Sequence, residues 1–574
     1  MSKSPSLEPL KKYGFKVALA PLLKLVECVI ELATPFLVRY IIDEGVSKGD
    51  LPFVLKMGAV ILGLSIIAFG VTLIAQCLSA KVASNYGYDL REKAHRHFET
   101  LGEAEIDNIG KSKILTLLSN DSFSMQNAVN MFMRLLLRAP FLLIGATIIS
   151  FFITPWAGWV FLGVVLLSSL VLAMVMVLSP KLYASLQTGL DQISSLGSDS
   201  IKGARPIRAF GKEDYSENKF DESSASYKKK AMRIARLNAF INPLTFGLVN
   251  LGMILVVYLG GFSVQEGSLT TGQVVSLISY LTLTLPALTM FSRLIVSLNR
   301  ATASKRRLDS FFGIKASITN GSYKATSVSN VSSEIVSFKD VSFSYSKGKA
   351  ALSHVSFSLN YGETMGIIGG TGSGKSTLIS LIERLYEASE GTIFFKSEPI
   401  KDYDLEALRS EIALVSQKPA IFKGTIKSNL LLGNSKASDE ECLEALKKSL
   451  AYEFVNRYSD KMNHEVEEGG ANLSGGQKQR LLLARAILQN ASLLILDDSL
   501  SALDFLSEKK VRENLSSFPN LTKIIISQRA TSLSGCDKII VIDNGRIVNE
   551  GTHEELLRTS PIYHDIYEMQ VKSR

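Results

Sequence analysis

The chain has 574 residues, 46% of them hydrophobic and 20% charged, with a formal net charge of +9. That length exceeds one ordinary domain, and the apolar excess points to a membrane for part of the chain. A basic balance alone would suit a nucleic-acid binder, but a membrane protein with positive cytoplasmic loops is basic as well.

The N-terminus is polar, with Lys3, Lys11 and Lys12, and the first apolar stretch is too long for the core of a secretory signal, so none is expected. Six apolar segments follow, each near the roughly 20 residues that span a bilayer. They run from Phe15 to Ile42, Phe53 to Leu78, Val129 to Phe152, Trp156 to Leu178, Ala239 to Val264 and Gln273 to Leu298. The first is interrupted by Lys24, Glu27, Glu31 and Arg39. Three connections are short: Asp43 to Leu51, Thr154-Pro155, and Gln265 to Thr271. The other two, Lys81 to Ala128 and Lys181 to Arg236, are long, and the second is rich in Lys and Arg. The positive-inside rule therefore puts both long loops and both termini in the cytoplasm. Leu182, Leu186, Leu190 and Ile193 keep a helical spacing, so the helices are expected to protrude beyond the membrane, with an interruption near Gly203 and Pro206.

Ionisable residues within spans mark function by default. Glu27, Glu31, Arg134, Arg138 and Arg293 qualify. They either snorkel or pair with one another near the interface, or contact a substrate. The four cysteines, Cys28, Cys77, Cys442 and Cys536, lie far apart without a C-x-x-C, which argues against a metal site or disulfide framework and predicts packed free thiols. Ile314 to Glu334 is rich in Ser, Thr, Asn and Gly and reads as a linker.

Beyond it the pattern becomes α/β, with short apolar runs alternating with amphipathic helices. Tyr345 is either a strand aromatic or a surface for a nucleobase. Gly369-Gly370-Thr371-Gly372-Ser373-Gly374-Lys375-Ser376-Thr377 fits G-x-x-x-x-G-K-[ST]. A strand-like run, Met365 to Ile368, precedes it, and a helical one, Leu378 to Ile382, follows. In that context the glycines let backbone N–H groups converge on a phosphate at a helix N-terminus. Lys375 would reach the β- and γ-phosphates, and the Ser376 hydroxyl would ligate Mg²⁺. The ligand is read as a nucleoside triphosphate. Leu493 to Leu496 is a buried strand ending in Asp497 and Asp498, where a carboxylate can hold the Mg²⁺ shell. Leu473-Ser474-Gly475-Gly476-Gln477 opens a further amphipathic helix and offers a second anion-binding N-terminus.

With these motifs in place, the second half resembles the nucleotide-binding domain of ABC transporters. The whole chain is similar to a half-transporter of the type IV exporter kind. The resemblance also rests on Gln417 in Val415-Ser416-Gln417-Lys418-Pro419, on Ser501-Ala502-Leu503-Asp504 as the D-loop, and on Glu468 in the X-loop position. It implies a membrane α-helical domain of six transmembrane helices, residues 1–313, a linker, 314–334, and an α/β P-loop ATPase domain of the ABC type, 335–574. It implies two chains in the cell membrane with ATP and Mg²⁺ sandwiched head to tail, each between one chain's phosphate loop and the other's Leu473–Gln477 signature. Tyr345 matches the adenine-stacking position, and Gln417 joins Ser376 and Asp497 at the metal. The long loops match those that carry coupling helices, the second near Ala209 to Phe220. No nucleic acid is expected as partner.

Two positions depart from the family pattern. Asp498 stands where Glu usually polarises the attacking water, and its carboxylate is shorter by one methylene, about 1.5 Å. Gln528 stands where a His usually contacts the γ-phosphate, and an amide cannot carry the imidazolium charge. Both catalytic positions are thus altered while the binding elements are kept. Heterodimeric exporters show this pattern in one of their two chains. The resulting expectation is the degenerate-site subunit of a heterodimeric exporter moving an amphipathic or hydrophobic compound, as in multidrug efflux. Lipid or peptide export and an ATP-gated channel or regulator are the alternatives; the peptide-processing version is weakened because no leader-peptidase domain is expected ahead of the first span.

Overall fold

The computed structural model describes residues 4–324, 333–345, 348, 350–501, 503–518 and 521–572. It divides into two units, one of residues 1–99 and 112–314, the other of residues 100–111 and 315–574. Residues 325–332 of the expected linker lie outside the described residues.

The first unit is helical. Its elements are α1 (Gly14–Tyr40), α2 (Leu51–Thr100), then, past α3 (Glu103–Ile109) of the other unit, α4 (Lys111–Thr116), α5 (Ser122–Leu135), α6 (Arg138–Ile153), α7 (Pro155–Lys202), α8 (Ala204–Ala209), α9 (Glu213–Gln265) and α10 (Thr271–Phe312). Five helical stretches among the described residues are long and apolar enough to cross a membrane: Leu51–Thr100, Lys111–Ile153, Pro155–Met174, Pro243–Gln265 and Thr271–Phe312. The sixth membrane-domain helix, α1, has the length, 27 residues, but carries charge. At 50, 48 and 53 residues, α2, α7 and α9 reach about 70–80 Å at 1.5 Å per residue, far more than a hydrocarbon core of about 30 Å requires.

The charge on α1 is neutralised internally. Lys24, almost fully buried, pairs with Glu27 at 2.5 Å. Arg138 of α6 reaches Glu27 at 2.8 Å and Glu31 at 3.2 Å. For these four residues the structure selects mutual pairing. At the opposite end of α1, Asp43 accepts from the Thr270 hydroxyl at 2.6 Å and the Gly272 amide at 2.8 Å, so the first short loop is tied to the start of α10. Cys28, Cys442 and Cys536 are buried free thiols, whereas Cys77 is exposed on α2 and unpacked, contrary to the expectation for all four.

The interruption expected near Gly203 and Pro206 is the short helix α8. Pro206 has the φ of an opening helical turn, and Gly203 and Gly211 bound it, the latter at φ +56°.

The second unit is built on a six-stranded sheet ordered β12-β11-β3-β10-β9-β6. Its strands are β3 (Thr364–Ile368), β6 (Ile412–Val415), β9 (Leu493–Asp497), β10 (Thr522–Ile526), β11 (Lys538–Asp543) and β12 (Arg546–Gly551). All pairings are parallel except β11 with β12. The parallel strands read as continuous apolar runs because both faces are covered, one by helices and the other by a second sheet together with the helix that follows β3. A second, antiparallel sheet is ordered β2-β1-β4-β5, from β1 (Glu334–Phe343), β2 (Leu352–Asn360), β4 (Glu390–Phe395) and β5 (Glu398–Pro399). Its Phe338 and Phe357 stack at 4.6 Å inside the core that the two sheets share. The helices used below are α11 (Lys375–Ile382), α12 (Gly475–Gln489), α13 (Phe505–Ser516) and α14 (Pro561–Lys572).

Register decides what this sheet can do. Ile526 of β10 lies opposite both Ile367 of β3 and Asp497 of β9. The three central strands therefore end together. Whatever follows them in sequence meets at one edge, where parallel α/β sheets hold ligands.

Candidate active site

From β3 the chain turns through residues 369–374 into α11. Gly374 sits at φ +109°, outside the range of residues with a Cβ. A Cβ on Gly369 would lie 2.1 Å from the Ile542 carbonyl oxygen, so neighbouring backbone excludes any side chain there. The Lys375 ammonium lies across the loop. It donates to the carbonyls of Gly369 at 2.9 Å and Gly370 at 2.7 Å and to the Ser373 hydroxyl at 3.3 Å. Burial lowers its pKa, and the charges of Asp497 and Asp498 oppose that. Its acceptors are all neutral. A phosphate would offer a stronger, charge-assisted partner.

At the adjacent strand end, Asp497 closes β9 and Asp498 follows at φ +46°. The Asp498 amide donates to the Ile526 carbonyl at 2.9 Å, which pins this turn to the end of β10. Its carboxylate accepts from the Gln417 side-chain amide at 3.3 Å. Both acids are shifted upward, mainly by burial. For Asp497 the charge of Asp498 adds to the rise and Lys375 counters it. For Asp498 the bond from Gln417, then Arg529 and Lys375, counter it. Ser376, Asp497 and the Gln417 amide oxygen form an oxygen-only donor set, the chemistry that suits Mg²⁺. A divalent cation bound by them would offset the repulsion of the paired carboxylates and neutralise phosphate charge.

These groups line one cavity of about 340 Å³. Its wall comprises Tyr345, Ala351, the loop from Thr371 to Thr377, Gln417, Asp497, Asp498, Ile526 and Gln528. Gly369 and Gly370 lie outside this lining, with their carbonyls turned to Lys375. Tyr345 is half exposed, and its hydroxyl donates to Thr377 at 3.0 Å. Its ring meets Phe343 and Tyr386 edge-on at 4.9 and 5.2 Å.

Several residues that no motif marks hold the site in place. Gln570 on α14 donates to the Gln528 carbonyl at 2.7 Å and accepts from the Ala530 amide at 2.9 Å, clamping the loop after β10. Glu508 on α13 is buried and accepts from Ser532 at 2.6 Å. It pairs with Arg512 at 3.1 Å and Arg529 at 3.8 Å. Tyr386 donates to Asp107 of α3 at 2.6 Å, so the tip of the first long loop packs beside the tyrosine pair. The one sequence signal among these was the i, i+4 spacing of Glu508 and Arg512. The others are long-range contacts.

None of Leu473 to Gln477 lines the cavity. Ser474 caps α12 through a reciprocal pair with Gln477: the Ser474 hydroxyl accepts at 3.4 Å and its amide donates to the Gln477 side chain at 2.8 Å. Gln479, one turn on and buried, donates to the Gln417 carbonyl at 2.9 Å, which links this helix to the loop after β6 of the same chain. Asp504 caps α13 by accepting from the Ser507 amide at 3.0 Å. Ser501 donates to the Asp498 carbonyl at 2.6 Å, and Leu503 is buried. Ala502 lies outside the described residues.

A phosphate loop, a strand-end acid and a separate signature helix, following in sequence a set of helices long and apolar enough to span a membrane, are the parts of an ATP-driven membrane transporter. Residues 17–288 match the family model described as ABC transporter transmembrane region, and residues 352–501 match that described as ABC transporter. The chain is 33% identical to the Bacillus subtilis ABC transporter ATP-binding protein YfiB over 98% of each chain. It is 29% identical to the ATP-dependent lipid A-core flippase of Mannheimia succiniciproducens over 99% of this chain and 96% of that one. A solved bacterial Atm1-family ABC exporter with ATP bound superposes with a TM-score of 0.80 at 22% identity, covering 97% of this chain and 98% of that one, which establishes the fold. The protein belongs to the ABC transporter family, as a half-transporter with the exporter fold: a multi-pass helical membrane domain followed by an ABC ATPase domain.

Proposed function

We propose that this chain is one half of a heterodimeric exporter in the cell membrane, with residues 1–313 as the membrane domain, 314–334 as the linker and 335–574 as the ATPase domain. It supplies a slow ATP site of its own and the signature of its partner's fast site. One observation carries this reading. Asp498 and Gln528 both line the cavity that holds Lys375, and neither has the chemistry of an efficient γ-phosphate site. The Asp498 carboxylate is short and already engaged by Gln417. Loss of a positioned base slows such a reaction by roughly 10²–10⁴-fold. Tyr345, Gly369 to Thr377 and Gln417 bind ATP, with Ser376, Gln417 and Asp497 at Mg²⁺. Leu473 to Gln477, outside that cavity, serve the second nucleotide across the dimer, flanked by the D-loop Ser501 to Asp504.

The long loops, both termini and the ATPase domain are cytoplasmic in this reading. Single cysteines at Gly49 and Gly267 then label from outside, and one at Ser224 only after permeabilisation. The cargo is amphipathic or hydrophobic, and lipid is its second reading, favoured by similarity to a protein named lipid A-core flippase. The decisive experiment is ATPase on the purified chain alone and on the chain co-purified with a second half-transporter. Slow turnover alone and brisk turnover together are expected. Brisk hydrolysis by a homodimer of this chain removes the degenerate-site reading.

A further inference from the structure

We infer that the membrane domain carries an anion-binding pocket between α5 and α10, and that the cargo it selects is an amphiphile with a negatively charged head, such as a phosphate or carboxylate. This deepens the export reading above and rests on it for the word cargo. The pocket itself rests on separate residues.

Among the described residues, Glu27 and Glu31 are taken up by Lys24 and Arg138, Asp43 by Arg39 and the start of α10, and Asp121 by Arg307 and Ser304. The acids of this region are thus engaged. Arg293 and Arg300 of α10 form no ion pair or hydrogen bond among those residues. Cations left unpaired near a membrane face water or a ligand, because hydrocarbon solvates them poorly.

Both arginines line the same cavity, of about 380 Å³. They are seven residues apart, so they share a helix face about 10 Å apart along the axis. Asn127 and the buried Ser297 supply neutral hydrogen-bonding groups between them, and Phe123, Met131 and Val296 supply apolar wall. Asp121, just before α5, accepts from Ser304 and Arg307 of α10, so the start of α5 is tied to α10 beyond Arg300. In the topology proposed above, Arg293 falls inside the last span and Arg300 just beyond its cytoplasmic end. The cavity therefore straddles the inner edge of the bilayer. Two guanidiniums there, which bind oxyanions bidentately, beside an aromatic and a thioether, fit a head that is anionic and a tail that is apolar. A cationic drug would meet two like charges with no acid to offset them.

The test is equilibrium binding of radiolabelled dodecyl phosphate to the full-length transporter in zwitterionic nanodiscs, without nucleotide, so that the outcome is independent of which ATP site is slow. Competitors of the same chain, dodecyl maltoside and dodecyltrimethylammonium, and the head alone, inorganic phosphate, separate head from tail. Dodecyl phosphate is expected to bind saturably, and the neutral and cationic amphiphiles to compete at least tenfold less well. Displacement by inorganic phosphate at similar concentrations would identify a free anion as ligand, and failure to displace identifies a lipid-like one. Arg293→Gln with Arg300→Gln is expected to weaken binding tenfold or more, and Arg293→Lys with Arg300→Lys, which keeps the charge and loses the bidentate fork, to weaken it less. Arg306→Gln, which removes an exposed charge from the same helix outside the cavity, is expected to change it less than twofold. Equal affinity for the three amphiphiles, or equal loss in the glutamine pair and Arg306→Gln, overturns the proposal. Failure of slow turnover in the isolated chain would overturn only the degenerate-site reading.

Discussion

The ATPase unit has two ends that meet nucleotide in this family, and they differ. In the reading proposed above, the phosphate-loop end keeps the groups that would grip a nucleotide, whereas the two groups that would act on the γ-phosphate, Asp498 and Gln528, are a shortened acid and an amide lining the same cavity. At the signature end nothing departs from the motif: Ser474 caps a 15-residue helix through a complete capping box. On that reading, binding and hydrolysis are separable in one domain. Gripping relies on backbone amides and one ammonium. Hydrolysis relies on side-chain atoms placed to within a fraction of an ångström.

The largest effect expected from breaking this contrast is at the intact end. In the co-purified heterodimer, Ser474→Ala removes a donor to the partner's nucleotide and should lower ATPase by about 10²–10³-fold, the usual loss for one transition-state donor. A small loss would reverse the roles assigned to the two chains. Sharpening the altered end comes next. Asp498→Glu with Gln528→His should raise turnover of the chain's own site by about tenfold to a hundredfold, part of what a positioned base contributes. That gain is read as single-turnover hydrolysis with the partner's site disabled. An unchanged rate would place the defect elsewhere.

Lys375→Ala should act more mildly on the whole machine. It removes charge-assisted hydrogen bonds and should weaken ATP binding at this site by about tenfold to a hundredfold. Steady-state turnover should fall only severalfold, because the fast site keeps its chemistry. Nucleotide titration by fluorescence, alongside ATPase, checks both numbers. Equal damage from Lys375→Ala and Ser474→Ala would mean two equivalent sites. The smallest effect is expected at Tyr386→Phe. It deletes the 2.6 Å bond to Asp107 and leaves the ring against Tyr345, a loss of about 1 kcal/mol. Nucleotide affinity should be nearly unchanged while stimulation of ATPase by cargo falls about two- to fivefold. A drop in affinity instead would make Tyr386 part of the nucleotide wall.

The membrane unit offers a parallel contrast. In the sequence Arg138 and Arg293 are alike, each a cation within a span. The structure separates them: Arg138 is held by Glu27 and Glu31, and Arg293 lines a cavity without a counter-ion among the described residues. No spacing rule could distinguish them, since the acids that neutralise Arg138 lie more than 100 residues away on α1.

The sequence by itself determined whatever depends on local chemistry. Apolar length marks the spans. The glycines at Gly369 and Gly374 mark a loop that only a side-chain-free backbone can form, and the Ser474–Gln477 spacing marks a helix start. Asp498 and Gln528 were legible as departures because their neighbours fit a known pattern. Only the tertiary structure decided which of these residues meet. Parallel pairing of β3, β10 and β9 in one register brings Lys375, Asp497 and Gln528 to a single cavity and leaves Ser474 outside it. Gln570, Tyr386, the bond from Ser532 to Glu508 and the pairing of α1 with α6 were equally hidden. Each acts through a contact between segments far apart in the chain, where burial strengthens a hydrogen bond or ion pair that local sequence does not encode.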